Sequence, residues 1–157
     1  MKLVILSLII LLLMSCNSSK VIFEEHQSVG EDKTWQVEEP ITFELDVKEN
    51  KHAYELAIAV RYAHGFPFDK LPIYLIETSP EGESVRRDID ILIQPKKGEY
   101  LGEKGFDIID LEQIIDSHKD FPTFGKYAYT LIPVDNGLDG YPLILEVGLT
   151  LKDPVSK

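Results

Sequence analysis

The chain has 157 residues, with 27 acidic against 16 basic side chains and a formal net charge of −11. A surface this acidic repels nucleic acid and anionic lipid head groups, which excludes both as partners recognised by charge. The one cysteine can make no intrachain disulfide. None is needed, since a chain of this size buries around two-thirds of its unfolded surface.

In chain order, Met1 and Lys2 precede an apolar run from Leu3 to Met14 whose one polar member is Ser7. The run falls short of the roughly 20 residues a membrane-crossing helix needs and suits the hydrophobic region of a secretory signal peptide. It ends Leu13-Met14-Ser15-Cys16, which resembles the lipobox of bacterial lipoproteins, although Met14 is a less common choice at its position. The competing reading is a plain signal peptide or membrane anchor with an incidental cysteine. In a lipoprotein, residues 1–15 are removed and Cys16 becomes the first residue and carries acyl chains. Each buried CH₂ contributes about 0.8 kcal/mol, so one chain holds marginally and two or three hold durably. The thiol is then a tether and is lost as nucleophile, metal ligand or redox switch. Loss of Lys2 takes the charge from −11 to −12. Asn17-Ser18-Ser19-Lys20 contains no acid. Some Gram-negative lineages use an acidic run here to send lipoproteins to the cell surface, so its absence points to the periplasmic leaflet of the outer membrane.

Residues 16–33 are polar apart from Val21-Ile22-Phe23 and predict a lipidated N-terminus and spacer, followed by one domain over 34–152. From there the pattern is period two, the repeat of a strand with one buried face. "ITFELDVKE" aligns Ile41, Phe43, Leu45 and Val47; "YELAIAVRY" aligns Tyr54, Leu56, Ile58, Val60 and Tyr62. "LPIYLIET" and "DIDILI" add two strands, the second with Ile89, Ile91 and Ile93 in register. "KYAYTLIPV" aligns Tyr127, Tyr129 and Leu131, and "LILEVGLTLK" aligns Leu143, Leu145, Val147, Leu149 and Leu151. One stretch departs from the alternation: "FDIIDLEQIIDSHKDFP" spaces Ile108, Leu111, Ile114 and Ile115 three to four apart, with Asp107 or Asp110 as cap and Pro122 as stop. The expected fold is all-β, an antiparallel two-sheet β-sandwich, immunoglobulin-like or jelly-roll-like, with one short helix near residues 107–118.

Few residues carry chemistry. "DNGLDGYPLILE" offers Asp135, Asp139, Gly140 and Glu146 at calcium-loop positions, but Gly137 spoils one of them and the flanks alternate as strands, so Asn136-Gly137 predicts a tight hairpin. His26, His52, His64 and His118 show no ligand-pair spacing. His118 beside Asp116 and Asp120, and Asp88 with Asp90, are weak acid–base candidates. No catalytic residue, metal or cofactor is expected. Arg61 sits on the polar side of a strand otherwise bearing Glu55, Ala57 and Ala59. It either pairs with Glu44 or Asp46 or organises the adjoining "FPFDKLP" loop. Phe66 and Phe68 of that loop, with Tyr100 and Leu101 of "GEYLG" and Arg61, form the candidate interaction patch, since aromatics anchor interfaces.

Taken together, Trp35, "FELD" of 43–46, "YELAIAVR" of 54–61, "FPFDKLPIYL" of 66–75, "GEYLG" of 98–102, Phe121, "FGKYAYTL" of 124–131 and "EVGLTL" of 146–151 resemble the gliding-motility lipoproteins of the GldH type. The chain departs from that pattern at Tyr62, Tyr100 and Val134-Asp135. The resemblance implies an outer-membrane lipoprotein facing the periplasm, needed for gliding and associated with machinery coupled to type IX secretion; it assigns no catalytic residues. The expected role is therefore a non-enzymatic interaction module with protein partners. The alternative is a carbohydrate- or cell-wall-fragment-binding module, with Phe66, Phe68 and Tyr100 as stacking platforms.

Overall fold

A computed structural model describes residues 19–48 and 53–153; the expected signal peptide, Cys16 and His52 lie outside them. The described residues form eleven strands: β1 (Lys20–Ser28), β2 (Thr34–Trp35), β3 (Ile41–Val47), β4 (Tyr54–Ala63), β5 (Lys70–Thr78), β6 (Ser84–Leu92), β7 (Glu103–Lys104), β8 (Ile108–Lys119), β9 (Gly125–Pro133), β10 (Tyr141–Pro142) and β11 (Ile144–Asp153). They make a five-stranded sheet in the order β1-β11-β4-β8-β7, a four-stranded sheet β3-β9-β5-β6 and a two-stranded piece β10-β2. Every pairing is antiparallel.

The period-two segments become strands because alternation puts a full apolar row on one face. Ile41, Phe43, Leu45 and Val47 of β3 are buried while Thr42, Glu44 and Asp46 are exposed. Leu56, Ile58 and Val60 from the five-stranded sheet join Phe43, Ile73, Leu75, Tyr129 and Leu131 from the four-stranded one in a single buried cluster. Trp35 closes that core at one end, its indole N–H donating to Glu39 O at 2.9 Å. A Cβ on Gly140 would lie 2.4 Å from Trp35 O, and Gly140 has φ +136°, so only glycine lets the β10 segment approach β2 this closely.

In place of the helix expected near residues 107–118, the chain forms the strand Ile108–Lys119. Along β8 the register runs Ile58↔Gln113, Ala57↔Ile114, Leu56↔Asp116 and Tyr54↔Lys119, so β8 twice carries one residue more than β4. Both bulges fall after Ile114, and over residues 108–115 the two-residue alternation holds. The three- and four-residue spacing comes from counting outward Ile108 and Ile114 together with inward Leu111 and Ile115. Ile109, which the helical spacing passes over, is fully buried, whereas Ile114 is exposed. Four isoleucines in eight residues also favour extended backbone.

Three smaller expectations change in the same way. Ile144 is buried while Leu143 is exposed, because the register slips between Ile144↔Tyr62 and Glu146↔Arg61. Part of the expected spacer, Lys20–Ser28, is an edge strand paired with β11, with Phe23 packed against the core. Asn136-Gly137 is no tight hairpin, since β9 and the following strands belong to different sheets. Asp135 and Asn136 instead accept from Gly137 N and Leu138 N within a crossing loop.

The strands give the molecule two ends. The N-terminus enters at Lys20, near Tyr54, Lys119 and Asp153. The loops after β4 and before β8 lie at the other end, a nine-residue strand or about 30 Å away.

Candidate functional site

At the loop end the aromatic residues expected to face a partner pack on each other. Ring centroids run Tyr141–Phe68 5.2 Å, Phe68–Phe66 5.5 Å, Phe66–Tyr62 5.8 Å, Tyr62–Tyr100 6.1 Å and Tyr100–His64 5.0 Å. Phe66 is 0% exposed, which makes it a core residue out of a partner's reach. Phe68 and Tyr100 are partly buried against the same core, and Leu101 alone of the four is exposed. A sugar needs a free ring face to stack on. Here Phe66 is buried, and Phe68 and Tyr100 are packed edge-on or tilted against their neighbours. These residues therefore do not form the solvent-exposed row of aromatics that would favour the carbohydrate reading.

Gln94, which no sequence pattern singles out, fastens the two loops together. Its amide donates to Phe66 O at 3.4 Å and Phe68 O at 3.2 Å, while its oxygen accepts from Gly98 N at 2.8 Å. Tyr62 donates to Leu101 O at 2.6 Å, and burial pushes its phenol up to about 12.

Arg61 lies apart from this cluster, on the outward face of the five-stranded sheet. Directly opposite it stand Asp110 on β8 and Glu146 on β11; Nε donates to Asp110 at 2.7 Å and Nη1 to Glu146 at 2.8 Å. The Asp110 hydrogen bond and charge, then Glu146, raise the guanidinium further above its usual range. The expected partners sit on the other sheet, where Glu44 takes Lys126 and Asp46 takes Lys48. The small residues beside Arg61 have an internal cause. Lys152 on β11 and Glu112 on β8 form an ion pair that must cross β4 between Glu55 and Ala59. Ala57, at 1% exposure, lies beneath it.

The acid–base candidates are held by ordinary surface partners. Asp88 pairs with Arg86, Asp90 with Lys70, and exposed His118 shares a hydrogen bond with Ser117. Among the described residues no group of three or more His, Cys, Asp or Glu is placed to hold a metal ion.

A feature missed in the sequence is the seam where β8 meets β5 and β6 of the other sheet. Gln113 donates to Asp90 O and accepts from Leu92 N, both at 3.0 Å. Asp116 faces Arg87 at 3.8 Å, and Lys119 bonds Glu77 at 2.5 Å with both side chains mostly buried. These side chains occupy an edge of β6 that would otherwise be open to pairing.

Such a molecule is an all-β antiparallel scaffold, with ion-paired sheet faces and loops held by an aromatic cluster. The profile of the GldH lipoprotein family matches residues 21–149, and the chain belongs to that family. It is also 28% identical over 123 residues to the gliding motility lipoprotein GldH of Flavobacterium johnsoniae, covering 78% of this chain and 74% of that one. Membership of a lipoprotein family implies attachment to the cell envelope through lipid.

Proposed function

We propose that this protein is a non-enzymatic β-sandwich module, tethered by acyl chains on Cys16 to the outer membrane and facing the periplasm. It serves as an assembly component of the gliding machinery associated with type IX secretion. The observation that carries the reading is family membership across residues 21–149 directly downstream of the Leu13-Met14-Ser15-Cys16 lipobox. The fold is compatible with it: β1 begins four residues after Cys16, at the end away from the loops. Residues 1–15 are then the signal peptide and the sandwich is the working part. Phe68, Tyr100 and Leu101 hold the shape of the loop end, with Phe66 beneath them and Arg61 on the neighbouring sheet face.

The test is the full chain expressed in gliding cells with a clickable fatty acid, beside Cys16→Ala. Wild type should carry the label, sediment with outer membranes and co-purify with motility or secretion components, while Cys16→Ala loses label and sedimentation together. An unlabelled wild type, or label that survives Cys16→Ala, would sink the lipidation reading. Labelled protein that copurifies with none of those components would sink the assembly role.

A further inference from the structure

Phe106 is 98% exposed, the most exposed large apolar side chain among the described residues. Its backbone is nevertheless held: Gly105 N donates to Ile108 O and His64 N to Asp107 O, each at 2.8 Å, so the β7–β8 turn is closed and tied to the end of β4. With the backbone already braced, docking has only the side chain left to order. Beside it, across three strands, lies an outward apolar row. Ile108 on β8 stands opposite Ala63, and Ala63 N bonds Leu143 O on the far side, in the turn just before β11. Ile108 and Leu143 are 38% and 36% exposed. Leu143 has φ +65°, a left-handed backbone that disfavours a leucine, so this surface keeps a strained, partly exposed apolar residue. The next row inward is Asp110–Arg61–Glu146, with two acids to one base, and exposed Asp107 flanks the ring.

We propose that Phe106 with Ile108, Ala63 and Leu143 is a docking surface for a protein partner that offers an apolar pocket for the ring and a lysine or arginine for Asp107 beside it. Charge complementarity selects a basic partner, because acids outnumber bases around the ring, with Glu103, Asp107, Asp110 and Glu146 against Lys104 and Arg61, on a chain at −11. The surface lies at the loop end, about 30 Å along the strands from the N-terminus, which points it away from a bilayer holding Cys16. The inference rests on the assembly role proposed above and names its surface.

The test uses the full chain in gliding cells, with a photoreactive phenylalanine analogue at position 106 or, as control, at Phe124, which is 63% exposed but lies toward the opposite end. Light should give one discrete adduct from position 106 and not from 124, and the cross-linked partner peptide should carry lysine or arginine beside apolar residues. In the unmodified chain, Phe106→Asp and Asp107→Lys should each cut recovery of that partner about tenfold, the size of a modest hot spot, while leaving the melting temperature unchanged. Partners recovered equally with Phe106→Asp would overturn this surface and leave the assembly role standing. An adduct of twice the chain's mass, or one lacking basic residues, would also overturn it. A wild-type chain that recovers no motility component would defeat both readings.

Discussion

Gln94 is 4% exposed and satisfies three backbone groups of two loops with one amide. Gln94→Leu keeps the bulk but leaves Gly98 N without its acceptor and Phe68 O without this donor. The expected loss is about 1–3 kcal/mol in denaturant unfolding, with faster hydrogen exchange at the Gly98 amide. Unchanged stability and exchange would show that water replaces the amide at no cost. Nothing in the sequence marks Gln94, because a glutamine between Ile93 and Pro95 looks the same whether it faces water or two carbonyls. Phe66 carries the reverse lesson. An aromatic in a proline-flanked loop looks available, and only the neighbours brought by β4, β5 and the 94–101 loop show that its site is already filled.

At the scale of elements, period-two rows were legible wherever strand pairing is regular. β3, β4, β5 and β9 bury the side chains that their alternation predicts. Two segments read differently. Along β8, outward Ile108 and Ile114 fall three residues either side of inward Leu111 and imitate a helical spacing, and at the start of β11 a bulge shifts the buried row by one residue. A bulge depends on what the neighbouring strand needs, so one strand's sequence cannot display it. The outward face of β4 yields a sharper prediction. Ala57 lies under the Lys152–Glu112 ion pair, so Ala57→Leu must lift that pair or shift β4. The expected cost is about 1–3 kcal/mol of overpacking, read by thermal or denaturant unfolding, whereas an exposed alanine would tolerate the change.

For the whole molecule, alkaline stability reports on the shared core, since buried tyrosines come from all three sheets. Burial raises the phenols of Tyr62 on β4, Tyr129 on β9 and Tyr141 on β10, with Tyr62 at about 12. A phenol is charged when deprotonated, so above its ordinary value near 10 the unfolded chain has released protons that the folded chain retains. The stability linked to these groups is therefore complete below about pH 10 and falls as pH rises toward 12. Absorbance titration should show Tyr62, Tyr129 and Tyr141 ionising together with unfolding rather than ahead of it. Their ionisation before unfolding would contradict the burial described here.

Amphipathic rows, the lipobox and the order of family residues are properties of neighbours along the chain, and they were readable before any fold was known. Which loop aromatics are core, where Arg61 finds its acids, how β8 is bulged and stitched to the other sheet, and that Phe106 stands free beside Ile108 and Leu143 were decided by tertiary structure. Each depends on contacts such as those between residues 21 to 85 positions apart, and pairwise geometry of that kind leaves no local pattern in the chain.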